Sequence, residues 1–329
     1  MIRVGLLGTG RIGSLHAETI ASHSESTLHA VSDIDNNSAG RLATQYGSVV
    51  KTADEIISDP NVDAILIATS TDTHSDFIEK ASSAGKAILC EKPVDLSLTR
   101  AKKCLEKVSA ANNPIMVGFN RRFDPNFAQL KKSLDGGEIG KRELLTITSF
   151  DPAPPPISYV KTSGGLYRDM MIHDFDLCRF YLEKDEISEV QAFSSSFEPM
   201  YKKINDHELA VVTMKSKKGV LCVITNSRHC SFGYDQRVEL FGKKGMLLSG
   251  NKKINATELY NSNQSSSEKP FLNFFIERYS DAYSLQLKEL VSLHKNKINS
   301  RSTFKDGYMA LKLANACYKS LKLKKTIKV

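Results

Sequence analysis

The first 118 residues alternate between short apolar runs and longer segments of mixed polarity, and this alternation limits the fold more than any other feature of the sequence. The apolar runs are typical of strands and comprise residues 2–7, 27–31, 64–68, 87–90 and 115–117. The segments between them have the length and pattern of helices and comprise residues 12–22, 38–46, 73–83 and 96–110. Strands alternating with helices predict a parallel, doubly wound sheet. Nearly continuous apolar strands fit a sheet that is covered on both faces.

A glycine motif follows the first strand and opens the first helix. It has the pattern G-x-G-x-x-G and consists of Gly8, Thr9, Gly10, Arg11, Ile12 and Gly13. In this setting the first glycine allows a tight turn, the second a close approach of backbone to a pyrophosphate, and the third close packing of helix on strand. Free N–H groups at the helix start would bind the phosphates. The six residues are therefore predicted to bind a dinucleotide in a Rossmann fold.

Asp33 stands at the end of the second strand, 25 positions after Gly8. An acidic side chain here can accept hydrogen bonds from the ribose hydroxyls and repels a 2′-phosphate, so NAD is favoured over NADP. Arg41 lies too far into the next helix to reverse this preference. The alternative interpretation is that the glycines only make a turn and that an acidic residue, Asp33 or the nearby Asp35, only caps a helix.

The pattern changes after Phe119. A helix over 125–134 and a strand over 143–150 precede a proline-rich loop at 151–156 and a helix over about 165–182. Five strand-like runs without intervening helices follow, at 187–193, 208–214, 220–226, 236–241 and 246–248; a polar loop is expected at 262–267, and helices at 274–294 and 304–321. Such runs predict a mostly antiparallel open sheet. The fold class is therefore α/β, with a Rossmann NAD-binding domain over residues 1–120 and an α+β domain for substrate binding and oligomerisation over residues 121–329.

Composition and charge exclude several classes. Of the 329 residues, 41% are hydrophobic and 25% charged, which is typical of a globular protein. Part of the net charge of +8 comes from five lysines near the C-terminus, Lys319, Lys322, Lys324, Lys325 and Lys328. No aromatic residues interleave with them as single-strand recognition would require, so a solvated helix end and tail are favoured over a nucleic-acid site.

Localisation follows from what the sequence lacks. The six cysteines form no C-x-x-C pair and stand in apolar stretches, so neither a zinc site nor a disulfide framework is expected. The N-terminus enters a strand directly, unlike a signal peptide, and no apolar run approaches the ~20 residues that span a bilayer. We therefore expect a cytoplasmic protein without membrane partners.

Lys92 follows the fourth strand within the triplet Glu91-Lys92-Pro93. Ligands of open parallel sheets bind at the carboxyl ends of the strands, so Lys92 is expected near the nicotinamide ring. There it would hydrogen-bond the reacting oxygen and stabilise negative charge on it. The alternative is an ordinary surface lysine at a strand end.

A second group of candidate residues stands in the stretch 164–176. On a continuous helix Asp169 and His173 share a face, with Asp176 nearby and Asp174 pointing elsewhere. A carboxylate beside an imidazole sets its tautomer, which suits His173 as general base for an alcohol proton. The alternatives are a surface ion pair, a buried histidine satisfied by Asp169, or a metal site of Asp169, His173 and Asp176. The spacing is not that of common zinc motifs, so no metal is expected.

Together these residues predict a mechanism. His173 would take the hydroxyl proton, Lys92 would hold the same oxygen, and the hydride would move to C4 of the nicotinamide.

Five motifs then allow a comparison over essentially the whole chain. They are the N-terminal glycine motif, Ala-Thr-Ser-Thr-Asp-Thr-His at 68–74, Glu91-Lys92-Pro93, and Val-Gly-Phe-Asn-Arg-Arg-Phe-Asp at 117–124, together with the stretch 164–176. The chain resembles the family that groups glucose–fructose oxidoreductase with the inositol dehydrogenases. Within that family, Asp-Pro-Ala-Pro-Pro-Pro at 151–156 and the stretch 164–176 are most similar to the inositol 2-dehydrogenases.

The resemblance implies roles for individual residues. It makes Lys92, Asp169 and His173 the catalytic set and places Ser70, His74 and Glu91 along the cofactor. It implies that Arg122, Asp151 and Tyr234 line a polyol pocket; a surface ion pair, a turn residue before proline and a packed aromatic are their respective alternatives. The implied reaction, part of inositol catabolism, oxidises myo-inositol to 2-keto-myo-inositol (scyllo-inosose) with NAD in a homodimer or homotetramer.

One departure and two rival functions remain. Relatives often carry a basic residue where this chain has Phe150. The identity of the polyol is therefore left open, whereas the predicted redox chemistry is unaffected. The rivals are an NAD(P)-dependent dehydrogenase of another sugar or sugar acid, and a nucleotide-binding regulator without turnover. The complete set of Lys92, Asp169 and His173 argues against the regulator, since a sensor needs no general base.

Overall fold

A computed structural model describes residues 1–109, 111, 113–296 and 300–329 of the chain. Its first sheet has six strands in the order β3-β2-β1-β4-β5-β6, and every neighbouring pair is parallel. The strands are β1 Ile2–Leu7, β2 Ser26–Ser32, β3 Val49–Val50, β4 Ala64–Ile67, β5 Ala87–Cys90 and β6 Ile115–Val117. The helices between them are α1 Arg11–Ser22, α2 Asn36–Tyr46, α3 Ala53–Ser58, α4 His74–Ser83 and α5 Leu98–Ser109.

The register of this sheet brings three strand ends together. Leu7 of β1 pairs with Ile67 of β4, which in turn pairs with Cys90 of β5. The residues that follow these strands, Gly8, Ala68 and Glu91, therefore emerge side by side at one edge. In an open parallel sheet this carboxyl edge is where ligands bind.

The predicted Rossmann sheet is confirmed, with small differences. The five predicted strands and four predicted helices are present, although Ala110, the last residue of one predicted helix, lies outside the described residues. The short elements β3 and α3 were not predicted. Val49 and Val50 are exposed, so β3 has no apolar pattern; α3 has six residues, begun by a capping box between Thr52 and Glu55.

A second sheet of seven strands has the order β12-β11-β7-β10-β9-β8-β15. Strands β7 and β10 are parallel, and the other neighbouring pairs are antiparallel. The strands are β7 Arg142–Phe150, β8 Ile187–Ser195, β9 Leu209–Ser216, β10 Leu221–Ser227, β11 Asp235–Gly242, β12 Gly245–Ser249 and β15 Ile327–Lys328. The mostly antiparallel sheet predicted for this part of the chain is thereby confirmed.

Helices and a hairpin complete this half of the sequence. The helices are α6 Pro125–Asp135, α7 Ile157–Thr162, α8 Leu166–Asp169, α9 Ile172–Leu182, α10 Pro199–Ile204, α11 Phe275–Arg278, α12 Ser280–Asn296 and α13 Phe304–Leu323. Strands β13 Glu258–Asn261 and β14 Gln264–Glu268 form the hairpin. Short 3-10 helices cover Thr71–Thr73 and Asn120–Phe123.

Two predictions about this region are wrong. The polar loop expected at 262–267 lies largely in strand β14, because an exposed hairpin without an apolar face has no alternation to reveal it. The single helix expected over 165–182 is divided into α8 and α9 at Met170 and Met171.

The five lysines near the C-terminus are exposed, as expected for a solvated helix end and tail.

By its internal contacts the chain divides into two units, residues 1–124 with 281–312 and residues 125–280 with 313–329. The predicted boundary assigned all residues after 120 to one domain, so the units differ from the predicted domains over 121–124 and, more substantially, over 281–312. The edge strand β6 gives the reason. The backbone N–H of Val117 donates to the carbonyl of Ser302 (2.9 Å), and Met116 bridges to Thr303. These contacts cover a strand edge that would otherwise expose unpaired backbone groups.

Candidate active site

The glycine motif occupies the carboxyl edge of the first sheet, between β1 and α1. Gly8 has a φ of +95°, and a Cβ there would lie 2.4 Å from the carbonyl oxygen of Ala68. A Cβ on Gly13 would lie 2.0 Å from the carbonyl oxygen of Gly8. Both glycines are therefore required by backbone packing.

Gly10 differs from these two glycines because a Cβ on it would meet no atom within 4 Å. It is the N-cap residue of α1, and no side chain caps the helix. The first turn of α1 also contains no acidic residue. Open space in front of an uncapped helix N-terminus suits an anionic pyrophosphate, which takes the N–H donors and favours the positive end of the helix dipole.

The carboxylate of Asp33 is held by the glycine loop. Its Oδ2 accepts hydrogen bonds from the backbone N–H of Thr9 (2.6 Å) and from the Thr9 hydroxyl (2.9 Å), and its Oδ1 accepts from the N–H of Asp35 (2.9 Å). Burial opposes ionisation, but the hydrogen bonds from Asp35 and Thr9 outweigh it and lower the pKa of Asp33. The N-cap of α2 is Asp35, whose side chain accepts from Asn37. Asp33 is thus an oriented, half-buried anion, and its carboxylate does not cap α2.

His74 joins the ends of β4 and β5. Its Nδ1 lies 2.8 Å from the carbonyl oxygen of Pro93 and its Nε2 lies 3.1 Å from that of Thr69. The side chain is buried, and burial lowers its pKa in spite of the two carbonyl contacts. Ser70, the other residue predicted here, is exposed and precedes the short 3-10 helix at 71–73.

Glu91 and Lys92 follow β5 at the same edge. Glu91 Oε1 lies 2.7 Å from Nε2 of His16, a buried residue of α1, and Glu91 Oε2 accepts from the backbone N–H of Lys92 (3.3 Å). A Cβ on Gly118 would lie 2.6 Å from Glu91 Oε2, so the glycine makes room for the carboxylate. Lys92 is half-buried. Sequence reasoning missed His16, because no spacing rule connects positions 16 and 91.

The stretch 164–176 lies in the second unit and begins with a backbone turn. Gly164 and Gly165 have φ of +89° and +81°, and a Cβ on Gly165 would lie 2.5 Å from the hydroxyl of Tyr318. Tyr318 donates to the carbonyl of Gly164 (2.9 Å), and the N–H of Leu166 donates to Asp206 Oδ1 (3.0 Å). These bonds anchor α8, the short helix that carries Asp169.

Asp206 is itself held by a buried ion pair. Its Oδ2 lies 2.9 Å from a guanidinium nitrogen of Arg228, and both side chains are almost inaccessible. A buried charge pair of this kind is costly to break, because the remaining partner is left uncompensated. The start of α8 therefore has a rigid support.

Asp169 ends α8, and His173 lies in the first turn of α9. The prediction that both residues lie on one continuous helix is wrong. Their spacing of four residues therefore does not show that they share a face. The backbone N–H groups of Met170 and Met171 both donate to the carbonyl of Leu166 (3.0 Å each), which marks the change of path between the helices. Asp169 Oδ1 accepts a hydrogen bond from the hydroxyl of Tyr159 (2.8 Å).

Asp174 ties α9 to the second sheet. Its Oδ1 accepts from the hydroxyl of Ser149 on β7 (2.7 Å) and its Oδ2 from the side-chain amide of Asn226 on β10 (2.8 Å). All three side chains are buried. The residue beside His173 thus has a structural role that sequence reasoning did not assign. Within the described ranges, no three His, Cys, Asp or Glu side chains converge into a metal site.

The predicted pocket residues are placed as follows. Arg122, in the first unit, is buried and pairs with Asp306 (3.2 Å). Asp151 follows β7, and its N–H donates to the carbonyl of Ser227 (2.9 Å). Tyr234 precedes β11 and is buried, with its ring centroid 6.0 Å from that of Tyr279. Their contact with a polyol remains a prediction.

Phe150 ends β7 and is half-buried. Alternation along the strand places it on the face opposite Ser149, which contacts Asp174 of α9. The departure at this position therefore lies away from the helix that carries His173.

Comparison with known proteins gives a family match for each part of the chain. Residues 2–119 match the oxidoreductase family with the NAD-binding Rossmann fold, and residues 127–248 match the GFO/IDH/MocA C-terminal domain. The chain is 39% identical over 328 residues to an inositol 2-dehydrogenase of Rhizobium meliloti, covering 100% of this chain and 99% of that protein.

Solved structures of similar proteins extend this likeness to the fold. A myo-inositol dehydrogenase from Corynebacterium glutamicum has a TM-score of 0.96 at 40% identity, over 100% of this chain and 99% of that one. A scyllo-inositol dehydrogenase from Lactobacillus casei, solved with NAD(H) and scyllo-inositol, has a TM-score of 0.92 at 27% identity, again over 100% and 99%. No helix within the described part of the chain is long and apolar enough to cross a membrane. The glycine loop, the oriented Asp33 and these full-length matches lead to one conclusion: the chain belongs to the GFO/IDH/MocA family of NAD-binding oxidoreductases.

Proposed function

We propose that this protein oxidises one ring hydroxyl of a cyclic polyol to a ketone with NAD, and that its substrate is myo-inositol and its product 2-keto-myo-inositol (scyllo-inosose). The observation that carries the proposal is the full-length identity of 39% to an inositol 2-dehydrogenase. The oriented anion at Asp33 beside the open space at Gly10 supports NAD as the cofactor.

The cofactor would be held by the carboxyl edge of the first sheet. The N–H groups at the start of α1 would bind its pyrophosphate in front of Gly10, with Thr9 in the loop and Arg11 and Ile12 in the first turn of the helix. Asp33 would accept hydrogen bonds from the ribose hydroxyls, and its charge would repel a 2′-phosphate. When bound, NAD supplies the acceptor for the hydride.

Lys92 would bind the reacting hydroxyl. Its ammonium can donate to that oxygen and stabilise the negative charge that develops as the proton leaves. Glu91 supports this placement, because its carboxylate accepts from the backbone N–H of Lys92 while His16 holds its other oxygen. Ser70 and His74 would border the cofactor at the neighbouring strand end.

His173 would take the hydroxyl proton as a general base, and Asp169 would orient its imidazole and stabilise the protonated form. The segment that carries both residues is anchored at its start by Asp206 and behind His173 by Asp174. Such anchoring provides the positional accuracy that proton transfer needs.

Arg122, Asp151 and Tyr234 would line the polyol pocket. Asp151 and the hydroxyl of Tyr234 are suited to the remaining ring hydroxyls, since both can accept hydrogen bonds. Arg122 pairs with Asp306, so we expect it to act mainly by shaping the site.

The direct test is NADH formation at 340 nm with myo-inositol, scyllo-inositol and a panel of aldoses and sugar acids, each with NAD and with NADP. Lys92→Ala and His173→Ala should lower kcat by about a hundredfold or more while NADH binding is retained. Lys132→Ala, at an exposed position of α6, is the matched control. Unchanged turnover in Lys92→Ala contradicts the mechanism.

The same panel separates the rival functions. Turnover of an aldose or sugar acid alone assigns the protein to a sibling activity with the same catalytic residues. NADH binding without turnover of any compound favours the nucleotide-binding regulator.

We also propose that the protein assembles as a homodimer or homotetramer through the open face of the second sheet. Register places four apolar residues side by side across this face: Leu221 pairs with Leu144, Leu144 with Phe241, and Phe241 with Met246. Leu221, Phe241 and Met246 are each about half exposed, and such a stripe favours association. Leu221→Glu should reduce the mass measured by light scattering, whereas Leu259→Glu, on the exposed hairpin, should not.

We propose a cytoplasmic location and a role in inositol catabolism. The six cysteines are free and buried, which suits a reducing compartment. Cell fractionation tests the location, and loss of growth on myo-inositol after deletion of the gene tests the role.

A further inference from the structure

Tyr159 makes a contact that the proposed mechanism does not use. It lies on α7, directly after the proline-rich segment 151–156, and its hydroxyl donates to Oδ1 of Asp169 at 2.8 Å. Tyr159 is 41% exposed, whereas Asp169 is 9% exposed. A partly solvated phenol therefore contacts a buried carboxylate that stands four residues before His173.

Local structure fixes the position of this phenol. The backbone N–H of Tyr159 donates to the carbonyl of Pro156 (3.0 Å), and its own carbonyl accepts from the N–H of Ser163 (2.9 Å). Val160, the next residue, is buried and anchors the short helix to the unit. The tyrosine is thus presented by an ordered turn with one apolar anchor.

The contact has two chemical consequences for Asp169. A donor to one carboxylate oxygen limits rotation of the carboxylate about its last torsion. The hydrogen bond also stabilises the negative charge of a carboxylate that is largely withdrawn from solvent. Both effects help a carboxylate that has to hold an imidazole in one tautomer and stabilise its protonated state.

We propose that Tyr159 is a positioning residue for the reaction, acting through Asp169 on the general base His173. This rests on the proposed function of Asp169. In this role the proline-rich segment and α7 would orient the carboxylate of Asp169 through the hydroxyl of Tyr159.

The test is Tyr159→Phe, which removes the hydroxyl and keeps the ring. We expect kcat for myo-inositol to fall about tenfold, the lower end for a hydrogen bond to a charged group, since the phenol is partly solvated. The KM for the polyol and the affinity for NADH should change less than about twofold, because the substitution removes no contact with the bound polyol or with the cofactor. The acid limb of the pH profile of kcat/KM, which reports the general base, should move to lower pH, because the protonated imidazole of His173 is less well stabilised.

The matched control is Tyr260→Phe. Tyr260 also donates its hydroxyl to a carboxylate, Glu258 (2.6 Å), but on the exposed hairpin. This variant should keep the kcat and the pH profile of the wild type.

Asp169→Asn separates this inference from the proposed function. If Asp169→Asn loses turnover while Tyr159→Phe keeps the kcat and pH profile of the wild type, the role of Tyr159 is wrong and that of Asp169 stands. Full turnover in Asp169→Asn contradicts the proposed function itself. A lower kcat in Tyr159→Phe with a lower melting temperature and an unmoved pH profile would assign the residue to folding and overturn the inference.

Discussion

Gly10→Ala and Gly13→Ala should separate cofactor binding from folding, although the two glycines stand three residues apart. A Cβ on Gly10 meets no atom within 4 Å, and the residue has φ −65° and ψ −168°, which alanine adopts without strain. A Cβ on Gly13 would lie 2.0 Å from the carbonyl oxygen of Gly8. Because that atom belongs to the backbone, strand and helix have to move apart.

The expected magnitudes follow from these distances. Gly10→Ala should leave the free energy of unfolding unchanged or raise it by up to about 1 kcal/mol, through lower entropy of the unfolded chain. Its methyl group would occupy the space for the pyrophosphate, so NADH affinity should fall at least about tenfold. Gly13→Ala should cost about 1–3 kcal/mol, as for an overpacked core, and weaken NADH binding as well.

The assay is urea denaturation of the protein without NADH, paired with calorimetric titration of NADH into each folded variant. Gly47→Ala and Gly40→Ala are matched controls, since neither glycine has an atom within 4 Å of a Cβ and both lie away from the loop. Gly40→Ala, in the helix α2, should raise stability slightly, whereas Gly47→Ala, at φ +66°, should lower it by about 1 kcal/mol. Neither control should change NADH affinity.

Two results would refute this reasoning. If Gly10→Ala binds NADH as tightly as the wild type, the space in front of α1 does not receive the pyrophosphate. If Gly13→Ala is as stable as the wild type, the packing of helix on strand tolerates a methyl group, and the steric role of the third glycine is wrong.

Three further predictions concern single side chains. Asp174→Ala should lower the free energy of unfolding, measured by urea titration, by about 2–6 kcal/mol. The substitution leaves the buried donors of Ser149 and Asn226 without an acceptor, at a cost of about 1–3 kcal/mol each. A loss below about 1 kcal/mol contradicts this prediction. Asp33→Ser should weaken NADH binding about tenfold or more and improve NADPH binding, both measured by calorimetric titration, since no carboxylate remains to repel a 2′-phosphate. An unchanged ratio of the two affinities contradicts the role of Asp33 in selecting NAD over NADP. Burial lowers the pKa of His74, so below about pH 6.5 the unfolded chain takes up a proton at this residue that the folded chain resists. The free energy of unfolding should therefore decrease as the pH is lowered. His74→Gln should flatten this dependence, and an equal slope in variant and wild type refutes it.

The first sheet was largely predictable because its signals are local. Apolar strands, helical segments of regular length and the glycine loop succeed one another along the chain, and a parallel sheet places successive strand ends at one edge. The position of Asp33 followed from the same local order. The tertiary structure added the donors that hold it, Thr9 and Asp35.

Contacts between distant residues were not predictable. His16 and Glu91 lie 75 positions apart, and no periodic pattern links them. The contact of Tyr159 with Asp169 depends on how α7 turns after the proline-rich segment, and the break between α8 and α9 interrupts a sequence that looks like one helix.

The sequence by itself thus determined the class of fold, the cofactor motif and the candidate residues for the chemistry, because these depend on order and spacing along the chain. Only the tertiary structure decided which buried groups hold the candidate catalytic residues, and that residues 281–312 complete the first unit. The physical reason is that most of these contacts join segments far apart in sequence, and their partners are chosen by packing and by the need to satisfy buried polar groups.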